Sequence, residues 1–208
     1  MPVWSGRGAR TSPSGVTPAA RGPILVEGVA LAMKSPALAM GHGLAFLAED
    51  RKETGGFLIL DCLENIQKAL TTNQKAKNGF AHQAKVTALA KAMVAKLRIK
   101  TPGPGETGEN LSGGNQQELP IACWLLTKPR ILIPDEPARG IDVDAKAETR
   151  RLIAELAGRG VAVLMISSEM PEVLGMSGPI MLKNEAPVSG FLHRDEADQV
   201  RIMAPAAK

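Results

Sequence analysis

"RILIPDEP", residues 130–137, sets an apolar run against two adjacent carboxylates. The run is short enough for a buried strand, and Asp135 and Glu136 fall where that strand would end. Eighteen residues before Asp135, "NLSGGNQQ" (110–117) closes a turn with two glycines and a row of side-chain amides that read into a helix. A helix start presents unpaired N–H groups and partial positive charge, and glycine lets a phosphate approach the backbone. Adjacent carboxylates at the C-terminal edge of a strand are where Mg²⁺ and an attacking water are handled in phosphoryl transfer. Either feature alone is an ordinary cap or an acidic turn. The pair, in this order, points to phosphate chemistry.

Working outward, the pattern alternates. A helix is predicted over 113–127, a strand over 130–134, a helix over 143–157, a strand at "VAVLMIS" (161–167), a short helix from Pro171 and a strand at "IMLKN". Alternation with short links predicts a parallel sheet with right-handed crossovers, hence an α/β fold. Upstream, "ILVEG" reads as a strand. Ser35 and Pro36 open a helix that Gly41 or Gly43 closes, and "LAFLA" (44–48) reads as a buried strand. Asp61 and Glu64 have capping-box spacing. A long helix is predicted from about 81 to 98, and residues 1–23, rich in Gly, Pro, Ser and Arg, read as a loose lead-in.

Composition bounds the class. The 208 residues, 44% hydrophobic, can bury one sizeable core. No apolar run approaches the roughly 18 residues of a spanning helix, so a membrane role is expected to be peripheral. Cys62 and Cys123, far apart and without CxxC pairing, suggest neither a zinc site nor a disulfide framework. The net charge of +4 conceals eight basic and no acidic side chains over 65–105. Nucleic acid, anionic lipid or an acidic partner could meet such a block. Val86, Leu89, Met93 and Leu97 recur at helical spacing while Lys85, Lys91 and Lys96 fall elsewhere, which favours the wet side of an amphipathic helix. With no Tyr in the chain and only Phe80 in the block, the stacking platforms of single-strand binders are lacking. No nucleic-acid partner is expected.

Three stretches, "LSGGNQQ", "WLLTKPRILIPDEPARGID" and "AVLMISSEMPEVLGMS", resemble the ATP-binding cassette of ABC transporters, specifically the second cassette of ATPases that power ribose- and galactose-type sugar importers. The resemblance extends over about 35–203 and is sharpest over 111–176. It implies a P-loop NTPase-like (RecA-like) parallel sheet with a helical subdomain at 49–110, a core part at 111–193 and a C-terminal helix or tail at 194–208. It also implies ATP and Mg²⁺ as ligands, and a second cassette and transmembrane permease subunits as partners. The expected location is cytoplasmic, on the inner face of the cell membrane. By the same resemblance, Ser112, Gly113, Gly114, Asn115 and Gln116 clamp a nucleotide held by the opposite cassette. Asp135 takes the place of the Walker B metal ligand and Glu136 that of the general base. Glu49 stands at the Q-loop, Asp142 at the D-loop and Glu169 at the switch histidine.

The chain departs from the pattern elsewhere. It contains no "GK" dipeptide, so it carries no GxxxxGK[ST] phosphate loop. "GRGARTS" (6–12) is glycine-rich but lacks the lysine, and the chain is expected to begin just past that loop and its helix. Pro120 falls within the signature helix and Pro134 within the central strand, each forfeiting a backbone hydrogen bond. Cys123 stands where the family has Arg, Ala138 where it has Thr, and "SGPIML" where an Asp-Arg pair precedes the strand. Two expectations follow: an ATPase segment of a carbohydrate importer that is inactive alone, or a non-catalytic module that pairs with another cassette or a membrane subunit.

Overall fold

The computed structural model describes residues 24–31, 34–49, 60, 64–65, 87–88, 91–92, 95, 105–110, 121, 128–183 and 188–206. The described residues fall into two compact units. One draws on Met1–Phe46, Arg130–Pro137 and Arg150–Lys208, the other on Leu47–Pro129 and Ala138–Thr149.

In the first unit, β1 (Ile24–Val26) and β2 (Val29–Leu31) form an antiparallel hairpin. Its two turn residues, Glu27 and Gly28, have φ of 51° and 78°. Such a turn matches the twist of the flanking strands. Sequence pattern had marked the first strand only. Helix α1 (Pro36–Gly41) starts as expected: the Ser35 side chain accepts from the Leu38 N–H at 3.3 Å, and Pro36 occupies the first turn. It stops because Gly43 adopts φ 80°, its N–H donating to the Met40 carbonyl at 2.9 Å. The chain then enters β3 (Leu44–Leu47) directly.

β4 (Ile131–Pro134) lies between β3 and β5 (Ala162–Val163) in a three-stranded sheet. β4 and β5 are parallel, pairing Ile131 with Ala162 and Leu132 with Val163, and helix α2 (Val143–Gly158) supplies the crossover such a pair requires. The N–H groups of Ala162, Leu164 and Ile166 donate to the carbonyls of Arg130, Leu132 and Pro134. In a parallel ladder the same β4 residues also donate back, and residue 134 would donate to the Leu164 carbonyl. Proline has no N–H to give. Regular pairing accordingly stops at Val163 and resumes only at an isolated bridge between Asp135 and Ile166. The continuous strand expected over 161–167 is thus broken by Pro134.

The run beyond β5 is buried on both faces, which explains its unbroken apolar character. Ile166 packs with Ala39, Leu44 and Ile133, whereas Met165 packs with Val173, Ile180, Leu182 and Ile202. Fully burying a side chain such as Ile133 or Ile166 stabilises by about 1.5 to 3 kcal/mol relative to exposure. Helix α3 (Met170–Met176), a hairpin of β6 (Ile180–Lys183) and β7 (Val188–Leu192), and helix α4 (Gln199–Ala206) complete this unit. β7 carried no sequence expectation, because its burial alternates weakly and Gly190 interrupts it.

In the second unit, residues 64–65, 87–88, 91–92, 95 and 121 are helical. Lys91 is exposed, in line with the wet side expected of its helix, and Ile121 is buried. The Asn65 amide donates to the Leu60 carbonyl at 3.2 Å, and that carbonyl also receives the Gly108 N–H at 3.1 Å. Asp61, Cys62, the lead-in at 1–23, Pro120 and Cys123 lie outside the described residues. Among the described residues, no helix is long and apolar enough to cross a membrane.

Candidate functional site

β4 delivers Asp135 and Glu136 to its C-terminal end, with only 2% and 6% of their surfaces exposed. The Asp135–Ile166 bridge and a 2.8 Å hydrogen bond from the Glu136 N–H to the Ile166 carbonyl fix the backbone there. Glu136 has φ 47°, a left-handed conformation that costs a side-chain-bearing residue about 1 to 3 kcal/mol and concentrates at functional sites. Pro137 follows it and disfavours right-handed helical backbone at the preceding position. The buried Oε2 of Glu136 meets no hydrogen-bond partner among the described residues.

This strand end suits a hard cation. Carboxylate oxygens are the ligands that magnesium takes, and it commonly uses only one or two of them beside waters and substrate phosphates. Among the described residues no group of three or more His, Cys, Asp or Glu could hold a metal alone. Two acidic side chains at one strand end therefore fit an ion that arrives with a phosphate.

Past Ile166 the chain turns through Ser167 and Ser168 to Glu169, the residue before α3. The Glu169 N–H donates to the Ser167 hydroxyl oxygen at 3.0 Å, and that hydroxyl donates to Glu172 Oε2 at 2.6 Å. Arg150, from α2, lies between two carboxylates: Nη2 is 3.8 Å from Glu169 Oε2, and Nε is 3.5 Å from Glu172 Oε1. Glu172 is fully buried. Burial pushes its carboxyl above the ordinary value, opposed by the Ser167 hydroxyl and the Arg150 charge.

Of the residues singled out from sequence, Asp135, Glu136 and Glu169 belong to the first unit, on segments joined through Ile166. Glu49 and Asp142 belong to the second. Glu49 forms an ion pair with Arg139. Asp142 caps α2, accepting from the Ala145 N–H at 2.9 Å through Oδ1, while its carbonyl receives the Lys146 N–H. Ser112, Gly113, Gly114, Asn115 and Gln116 lie outside the described residues. Sequence reasoning passed over Arg150, Ser167 and Glu172. Glu172 reads locally as an acid in a helix's first turn, and only folding shows it to be buried beside an arginine 22 positions earlier.

Residues 14–139 match the ABC transporter family. The ribose/galactose/methyl galactoside import ATP-binding protein of Rhizobium johnstonii is 57% identical over 194 residues, which are 93% of this chain and 38% of that protein. Similarly named proteins of Hahella chejuensis and Burkholderia lata are 55% and 54% identical over 93% of the chain, which again covers 38% and 37% of each. The chain thus spans well under half the length of these curated relatives. Among solved structures, an ATP-binding cassette of an ABC transporter in its ADP conformation matches with a TM-score of 0.77 at 17% identity, over 99% of this chain and 84% of that one. A dimeric post-hydrolysis cassette bound to ADP and Pi matches with a TM-score of 0.76 at 14% identity, over 93% and 85%. At these identities the likeness is one of fold: the chain has the α/β architecture of the P-loop NTPase cassettes.

Proposed function

Because the chain belongs to the ABC transporter family, we propose that it is part of the ATP-binding subunit of a carbohydrate importer, supplying the signature turn and the acidic strand end of the nucleotide site. The observation that carries this reading is the buried Asp135–Glu136 pair at the end of a parallel strand, with Glu136 held in left-handed backbone. Magnesium, when bound with ATP, neutralises charge on the phosphate oxygens. Asp135 would hold that ion in this chain. Glu136 orients the attacking water and accepts its proton on the carboxylate. Ser112, Gly113, Gly114, Asn115 and Gln116 offer hydroxyl, backbone and amide donors to the γ-phosphate of ATP held on another polypeptide. Glu169 borders the nucleotide. The names of the 54–57% identical relatives support the sugar-import role, and with it permease subunits as partners and a peripheral position on the cytoplasmic membrane face. We infer that the segment 49–110 is the part that meets those subunits.

The lack of any "GK" dipeptide favours a second reading for the 208-residue polypeptide taken alone, that of a module that engages ATP only when another cassette presents it. Without a phosphate loop in cis, nothing aligns the γ-phosphate with Glu136. The purified chain is accordingly expected to release phosphate from ATP no faster than buffer. Turnover above background that disappears in Glu136→Gln would show a complete site within this chain and remove the second reading.

A further inference from the structure

Arg150, Glu172, Ser167 and Glu169 form a closed circuit within the first unit. Arg150 faces both carboxylates, Ser167 links Glu172 to the Glu169 N–H, and the Glu169 carbonyl accepts from the Glu172 and Val173 N–H groups at 3.0 and 3.1 Å. Glu172 is wholly buried, while Arg150 and Glu169 keep 31% and 25% of their side chains exposed. A buried carboxylate has to be compensated, and Arg150 and Ser167 do so from opposite sides. Such compensation needs only one cation contact. Here the guanidinium is shared, and its second contact reaches the partly exposed Glu169, whose segment is joined through Ile166 to Asp135 and Glu136.

We propose that Arg150, braced by the buried Glu172, is a positioning residue that holds Glu169 and its turn against the acidic end of β4. Glu169 itself needs no buried partner for stability, so the shared guanidinium serves to fix where that side chain stands. A rigid fork facing two carboxylates limits both χ freedom and backbone opening of the Ser167–Glu169 turn. The assignment rests on the proposed role of Glu169 beside the nucleotide, and its local part can be tested without nucleotide.

Removing Arg150 alone would leave Glu172 buried and uncompensated, so the informative variant is Arg150→Met with Glu172→Met, which deletes both charges of the buried pair and keeps apolar volume. Two readouts are taken on the full chain: amide hydrogen exchange at Glu169, and ATP-dependent association with a hydrolysis-locked cassette that carries a phosphate loop. The double variant is expected to keep its denaturation midpoint, to exchange the Glu169 amide faster by on the order of tenfold or more while Ile133 and Ile166 stay protected, and to lose most ATP-dependent association. Unchanged exchange at Glu169 overturns the proposal, as does faster exchange with undiminished association. If the unaltered chain itself shows no response to ATP, the nucleotide reading fails on its own account, and the exchange arm still decides whether Arg150 positions the turn.

Discussion

Pro134 has no N–H to donate to the Leu164 carbonyl in the β4–β5 ladder, at the place where regular pairing of the two strands stops. The Pro134 carbonyl still accepts from the Ile166 N–H at 2.9 Å, so the proline deletes one rung and leaves its neighbours. Pro134 is fully buried in the middle strand of the described sheet, so the deleted donor lies in the interior. Pro134→Val restores an N–H at little added volume and is expected to stabilise the protein by about 1 to 3 kcal/mol. A denaturant midpoint that stays the same or falls would show that the strand has adapted to the proline.

Gly43 closes α1 and starts the return into β3. Its φ of 80° is open to glycine, and an added Cβ would lie 3.1 Å from the Arg130 Cγ and Cδ. Its carbonyl also accepts from the N–H groups of Arg130 and Ile131, so the backbone cannot readily rotate away. Gly43→Ala is therefore expected to cost about 1 to 2 kcal/mol, chiefly from the left-handed conformation. Thermal melts of the variant beside Gly41→Ala, where nothing lies within 4 Å of the added Cβ, separate this effect from general helix propensity.

How far the sequence could be read depends on where each signal is local. α1 was legible because its cap, its first-turn proline and its closing glycine lie within nine residues. The strand around Leu132 and the crossover helix were legible from apolar periodicity. β2 and β7 were not, since three exposed or half-exposed residues and a glycine-interrupted run carry little pattern. The Asp135–Glu136 pair stood out because two charges end an apolar run. The Arg150–Glu172 pairing left no trace, because it joins two separate helices through folding alone. The same holds for the Glu49–Arg139 pair, whose partners are 90 positions apart.

Glu172 gives the protein a pH signature of definite sign. Its carboxyl is raised above the ordinary 4.5 by burial, so the folded chain holds that proton more tightly than the unfolded chain. The resulting stability is fully present below the ordinary value and is lost as pH rises through the folded one. Glu172→Gln keeps the shape and cannot ionise. Between pH 4.5 and pH 8 the denaturation midpoint of the Gln variant is expected to fall less than that of the unaltered protein. A parallel fall in both would mean that Glu172 stays charged at little cost, with Arg150 and Ser167 offsetting its burial in full.

On the function proposed above, the turn at Ser112–Gly114 acts without a phosphate loop in the same chain. Its donors are backbone N–H groups and the Ser112 hydroxyl, and a helix N-terminus attracts a phosphate wherever that phosphate is anchored. A complementary cassette with an intact phosphate loop, locked against hydrolysis so that the closed state accumulates, should therefore bind this chain better with ATP than without. Light scattering or a pull-down with and without nucleotide reads the difference. Ser112→Ala removes one donor and is expected to weaken the ATP-dependent part by roughly ten- to a hundredfold, in line with the roughly 1.5 to 3 kcal/mol of a hydrogen bond to a charged group. Gly113→Glu sets bulk and negative charge against the phosphate and is expected to abolish it, while leaving any nucleotide-independent association in place. Pro120 opposes this outcome if the helix expected over 113–127 forms, because a proline there removes a hydrogen bond and can swing the helix start off axis. Pro120→Val should then strengthen the ATP-dependent association. Association indifferent to ATP and to both the Ser112 and Gly113 substitutions, in the Pro120→Val background as well, would leave the turn with no nucleotide role.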